Sequence, residues 1–111
     1  MEEMIFLSAL GIVSALGRGK QEVSENLFAG HRSGIVVRSD LLVDKAPIFV
    51  GQVDGPLPDV PDNLSIYASR NLQLAITAAE EIRDEIQTAL TVYGRKRIAV
   101  VLGSSTSGIA E

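Results

Sequence analysis

Apolar positions along this chain fall into two patterns, continuous runs and a helical period, and each predicts a different element. Met4 to Leu10 is a short continuous apolar run bounded by Gly11, which predicts a strand covered on both faces. Arg97-Ile98-Ala99-Val100-Val101-Leu102 is a second such run, and Gly103-Ser104-Ser105-Thr106-Ser107-Gly108-Ile109 follows it. Between them, Leu72, Ile76, Ala79, Ile82, Ile86, Ala89, Leu90 and Tyr93 recur at helical spacing. That period predicts one long amphipathic helix from about Ser69 to Tyr93, with Ser69 as N-cap and Gly94 as terminator. Leu74 and Val92 interrupt its polar face, so a second packing surface is expected there, supplied by residues outside this chain.

The remaining segments carry weaker patterns. Gly11 to Gly17 reads as a glycine-framed connection and Gly17-Arg18-Gly19 as a loop. Glu22 to Ala29 holds Val23, Leu27 and Phe28 at helical spacing, with Gly30 where a C-terminal cap belongs. Residues 31–61 contain Pro47, Pro56, Pro58 and Pro61, together with Gly34, Gly51 and Gly55. A surface excursion with few fixed contacts is expected, apart from an edge strand or extended arm over Ile48 to Val53. The order is strand, short helix, excursion, long helix, strand. It predicts an α/β fold in which the two apolar strands lie side by side and parallel, joined by a right-handed crossover.

Composition narrows the functional classes. The chain has 111 residues, 46% of them hydrophobic and 22% charged, a globular balance rather than that of a disordered chain. A net charge of −4 gives no electrostatic footprint for nucleic acid. The one basic cluster, Arg95-Lys96-Arg97, sits where it would cap a helix dipole and solvate a turn. There is no cysteine, hence no disulfide, thiolate metal site or cysteine nucleophile within these residues. That fits a cytoplasmic chain. The acidic start, Met1-Glu2-Glu3-Met4, is unlike a secretory signal, and no apolar run is long enough to span a bilayer.

The motifs that invite a chemical reading each have a plainer one. Gly103 to Gly108 matches the outer glycines of a phosphate-binding loop, but Ile109 and Ala110 stand where the lysine and hydroxyl residue belong, which excludes nucleotide binding. The nucleophile-elbow pattern fails because Ser107 replaces its second glycine. A hydroxyl-rich turn satisfying its own backbone is the structural alternative. His31, the sole histidine, follows Gly30 in a loop and reads as a solvated side chain with no carboxylate spaced to orient it. Glu80, Glu81, Asp84 and Glu85 read as a wet helix face rather than paired catalytic carboxylates. No metal or cofactor site is expected.

Three segments, in order, resemble the opening of β-ketoacyl-acyl-carrier-protein synthases. They are Ile5 to Gly17, an apolar strand with a Gly-hydrophobic-Val-Ser turn; Asn26-Leu27-Phe28-Ala29-Gly30 with Ser33-Gly34-Ile35; and Arg97 to Ile109, a second strand with its glycine-rich turn. Ser69-Arg70-Asn71 and the Gly-Ser-Ser-Thr-Ser-Gly-Ile turn resemble the aryl-polyene subgroup most.

The resemblance implies a thiolase-like fold of layered helices and mixed sheets. Residues 1–111 would be the N-terminal part of its first domain, incomplete at the C-terminus. It implies a parent enzyme that condenses malonyl-carrier protein with an acyl thioester by decarboxylation, in fatty acid or polyene biosynthesis. The family's cysteine and histidines would lie beyond Glu111, so no catalytic residue is assigned within this chain, and the chain alone would be inactive. The alternative is a segment of a non-catalytic, chain-length-factor-like partner of such a synthase. Thr106 stands where relatives line the acyl pocket, and Ser105 and Ser107 flank it as substrate-side candidates. Gly103 and Gly108 would make the turn, and Ser104, Ser105 and Ser107 would satisfy backbone rather than react. Acyl carrier protein and a homodimeric or heterodimeric synthase partner are the implied partners. Exposed apolar surface, Leu74 and Val92 included, is expected to drive self-association.

Overall fold

Glycines decide how closely the N-terminal third can pack. In the computed structural model, which describes residues 3–104, β1 (Val13–Ser14) and β2 (Gly17–Arg18) form a minimal antiparallel hairpin, with Ser14 facing Gly17. A Cβ at Gly34 would stand 1.8 Å from the Ala15 carbonyl oxygen, and one at Gly11 would stand 2.0 Å from that of Ala78. Both contacts bring backbone against backbone, which any side chain would forbid.

The first helix, α1 (Lys20–Ala29), forms where the Val23, Leu27 and Phe28 spacing predicts. It ends on Gly30 at φ 70°, where the Gly30 and His31 amides donate to the Leu27 and Asn26 carbonyls. Val23, 9% exposed, is the buried hydrophobic side chain among the described residues.

The excursion is more ordered than its prolines and glycines suggest. β3 (Ile35–Arg38) pairs antiparallel with β4 (Ile48–Gly51), Val36 facing Val50 and Val37 facing Phe49. The predicted edge strand is therefore present, and a partner strand that the pattern missed completes it. The stretch after β4 is also fixed. The Arg18 guanidinium donates to the carbonyls of Asp54 and Pro56, Arg70 donates to that of Val53, and Gln73 donates to that of Pro58. A short 3-10 turn, Asp62–Tyr67, leads into the next helix.

The long helix is two. α2 (Arg70–Glu81) and α3 (Arg83–Tyr93) are separated at Ile82, whose backbone sits at φ −113°, ψ 23°. The Ala78 carbonyl is the acceptor that Ile82 would use in an unbroken ladder. Gly11 packs onto that carbonyl, and the Ile82 amide donates one residue later, to Ala79. Crowding at the acceptor accounts for the break without proline or glycine. Ser69 does cap α2, its hydroxyl accepting from the Leu72 amide at 3.0 Å, and Gly94 follows α3 at φ 73°. Arg95–Arg97 form a 3-10 turn rather than the start of a strand.

The two apolar runs form no ladder. Among the described residues the sheets are the two antiparallel pairs β1–β2 and β3–β4, and neither Met4–Leu10 nor the run ending at Leu102 belongs to one. The expected side-by-side parallel pairing is absent. Ile5 is 93% exposed, and Val100 and Val101 are 86% and 87% exposed. A strand apolar on both faces is stable only between covering layers, and the described residues cover neither run. The radius of gyration, 17.1 Å, exceeds the roughly 13 Å of a compact domain of this length for the same reason. The architecture is α/β, with helices beside small antiparallel sheets.

Candidate functional site

The first turn of α2 gathers the groups that the sequence singled out. Ser69 closes the helix N-terminus, which fixes the direction of the residues after it. Arg70 then reaches the Val53 carbonyl at 3.1 Å, and Asn71 accepts a hydrogen bond from the Ser104 hydroxyl at 2.9 Å across 33 residues of chain. One turn later Gln73 holds the Pro58 carbonyl at 3.0 Å. Asn71 and Ser104, separate in sequence, thus meet in space. The Ser104 hydroxyl bonds to a side chain.

Beside this turn lies an open cleft of about 500 Å³ between the β3–β4 hairpin and α2, lined by Arg38, Leu41, Val50, Gln52, Arg70 and Leu74 among others. Leu74 lines this open cleft, and Val92 stays 63% exposed. Arg38 is committed, its guanidinium donating to Asp40 and, at 3.0 Å, to Gln52. The bond to Arg38 holds the Asp40 carboxyl below its usual range.

Glu81 is the residue that sequence reasoning misread. Its carboxylate accepts from the Lys20 amide at 2.7 Å and the Ile12 amide at 3.0 Å, and it pairs with the Lys20 ammonium at 2.9 Å. These donors, the Lys20 amide first, then the Lys20 side chain, then the Ile12 amide, lower its pKa from 4.5 to about 2. One side chain thereby pins both ends of the glycine-framed connection to α2. Leu74, Ala78 and Glu81 share a helix stripe at i, i+4, i+7, and Leu74 had already marked that stripe as a contact surface. Its neighbour Glu80 pairs with Arg83, which lowers the Glu80 pKa, and this part of the acidic face is solvated as expected.

His31 is exposed, and its Nδ1 lies 2.8 Å from Asn26 Oδ1. The Asn26 amide nitrogen donates to the Leu16 carbonyl at 2.6 Å. The amide is thereby oriented with its oxygen toward the ring, so Nδ1 carries the proton. This chain of bonds ties the loop to β1–β2 and brings no carboxylate to the imidazole. Among the described residues there is no cluster of histidine, cysteine or acidic side chains that could hold a metal ion, and no helix long and apolar enough to cross a membrane. The arrangement positions segments; it assembles no nucleophile with a base among these residues. Gly103 and Ser104 are described, whereas Ser105, Thr106, Ser107 and Gly108 lie outside the described residues.

No family model and no curated protein matches the chain. A solved structure does: a chain of the complex between the ketosynthase ApeO and its chain length factor ApeC from Xenorhabdus doucetiae. The two are 38% identical with a TM-score of 0.86, and the match covers 94% of this chain and 26% of that one. The chain thus spans about a quarter of the length of its match. An identity of that size across nearly all residues, with the backbone superposing, carries the likeness past fold alone.

Proposed function

We propose, from the premise that this chain is a segment of a thiolase-like ketosynthase scaffold, that it is the N-terminal part of a 3-oxoacyl-acyl-carrier-protein synthase. The single observation behind this reading is the 38% identity carried across 94% of the chain. In the proposed reaction an acyl group passes from a carrier-protein thioester to a cysteine thiolate of the parent protein. Malonyl-carrier protein then loses carbon dioxide, and the carbanion so formed attacks the acyl thioester and expels the thiolate. Nucleophilic catalysis and stabilisation of the developing enolate drive the chemistry. The groups that do so lie downstream of these 111 residues, and the segment alone is inert.

The segment's own contribution is a wall and its supports. Thr106 lines the acyl pocket between Ser105 and Ser107, and a hydroxyl there suits a polyene chain of the aryl-polyene type better than a saturated one. Gly103 and Gly108 shape the turn. The parent is a cytoplasmic enzyme that works on acyl carrier protein and pairs with a second synthase-like subunit.

One observation favours a second reading. The matched structure is a complex of a ketosynthase with its chain length factor, so the parent is alternatively the partner subunit that lacks the nucleophile. Sequencing the parent gene past Glu111 separates the two: a cysteine at the next nucleophile turn is expected, and its replacement assigns the chain to the partner. Purified parent with malonyl- and acyl-carrier protein is expected to release carbon dioxide and form a 3-oxoacyl product. The 111-residue chain is expected to form none, and turnover by it would overthrow the assignment of the chemistry to downstream residues.

A further inference from the structure

We propose that Asp54–Gly55 is a modification site: the pair isomerises without an enzyme, and the Arg18 guanidinium steers the product to isoaspartate. The reaction needs a carboxyl group one methylene from the main chain, followed by an amide nitrogen that nothing occupies or shields. Asp54 is the aspartate that precedes a glycine. Asp40, Asp44, Asp59, Asp62 and Asp84 precede residues with side chains, and no asparagine precedes a glycine. Gly55 has no Cβ to block approach to its nitrogen. Both residues are exposed and lie outside helix and strand. Among the described residues, the Asp54 carboxylate and the Gly55 amide have no hydrogen-bond partner, so both reacting groups are free.

The chemistry balances with water alone. The Gly55 nitrogen gives up its proton and bonds to Asp54 Cγ, and the carboxyl hydroxyl leaves as water. A second water then opens the five-membered imide at one of its two carbonyls. Addition at Cγ breaks the new bond to nitrogen and restores aspartate. Addition at the main-chain carbonyl carbon of Asp54 breaks the original peptide bond instead. The chain then runs through Cβ and Cγ, and the α-carboxylate is set free.

Arg18 distinguishes these two openings. Its Nη2 donates to the Asp54 main-chain oxygen at 2.5 Å, and its Nη1 donates to that of Pro56 at 2.8 Å. A Cβ at Gly55 would stand 3.3 Å from Nη2, so the bare glycine gives the guanidinium its room. The bond to Pro56 keeps the fork in place while the ring forms. Water adding at the main-chain carbonyl puts negative charge on the oxygen that this permanent cation already holds. The carboxylate so released is a better partner for the guanidinium than the carbonyl it replaces. No donor reaches the Asp54 side-chain oxygens among the described residues, so the opening at Cγ has no such help.

The test ages the full-length parent protein at neutral pH beside a synthetic peptide of Gln52 to Pro58. Digestion and electron-transfer fragmentation separate isoaspartate from aspartate at equal mass. Isoaspartate is expected at position 54 and at no other aspartate of residues 1–111. Its absence there while the peptide forms it, or its even spread over the other aspartates, overturns the site. Asp54→Asn reaches the same imide by losing ammonia, and so reports how the imide opens. The isoaspartate share from the folded Asp54→Asn protein is expected to exceed that from the peptide with the same change. Adding Arg18→Gln is expected to lower the share to that of the peptide. Adding Arg18→Lys, which keeps the charge without the fork, is expected to leave it between the two. An equal share in protein and peptide, or a share that Arg18→Gln does not move, overturns the steering. Urea midpoints establish that each variant is folded; should Arg18→Gln fail to fold, the protein–peptide comparison decides by itself.

Discussion

The connection between residues 11 and 19 and the apolar runs on either side of the fold are both close to glycines, yet they are held by opposite means. The connection is fixed by backbone fit and polar bonds: Gly11 on the Ala78 carbonyl, Glu81 on the Ile12 and Lys20 amides, Asn26 on the Leu16 carbonyl. The runs at Met4–Leu10 and Val100–Leu102 offer large side chains to solvent and no ladder. Hydrogen bonds and shape fit are satisfied between near neighbours in space that the chain itself supplies. Hydrophobic strands need whole layers, and the layers are not among the described residues.

The sharpest way to break this contrast is at Gly34. A Gly34→Ala methyl would overlap the Ala15 carbonyl, so a loss of roughly 3 kcal/mol or more is expected from the forced backbone shift. Gly103→Ala, with nothing near it, is expected to change stability by less than about 0.5 kcal/mol. Urea midpoints of the two variants check the pair, and equal effects would erase the distinction between a fitted and an open glycine.

Acid is the next lever. The Glu81 pKa is depressed to about 2 in the fold against 4.5 for the free side chain. Its contribution is therefore complete above pH 4.5 and is lost as the pH falls toward 2. Glu81→Gln is expected to be less stable than the parent sequence at pH 7, with a stability curve flatter between pH 4.5 and 2. The two proteins should converge at the acid end; parallel curves would mean that the carboxylate is not the fastener.

A smaller effect is expected from Gln73→Ala, which frees the Pro58 carbonyl at a cost of about 1 kcal/mol. Hydrogen exchange should quicken around residues 56–60 while the β1–β2 hairpin stays protected.

Least of all should happen to folding in Ile5→Ser or Val101→Ser, since neither side chain is buried; stability is expected to move by under about 0.5 kcal/mol. Sedimentation should nonetheless show less self-association than the original chain, whose open apolar surface favours it. A loss near the 2–3 kcal/mol of a buried aliphatic would show that these runs are packed after all.

What was legible in the sequence follows the same divide. The helix over Lys20–Ala29 and its Gly30 cap, the Ser69 cap and the strand at Ile48–Gly51 are local matters of spacing and capping, and they were readable. The strand Ile35–Arg38 was not, because its alternation is short and begins at a glycine whose role is a contact with Ala15. The break at Ile82 was hidden for a similar reason: its cause is Gly11, distant in sequence. Glu81 looked like one more solvated acid because no local pattern marks a carboxylate that will meet two amides. The meeting of Asn71 with Ser104 was foreshadowed only as two motifs found together, not as a bond.

Arg18 carries a consequence for how this protein can drift. It grips the stretch after β4 by the carbonyls of Asp54 and Pro56, atoms that every amino acid possesses. Substitutions along that stretch can accumulate without loosening the grip, provided the path of the main chain is kept. The selective burden falls on the arginine, whose forked guanidinium no lysine reproduces.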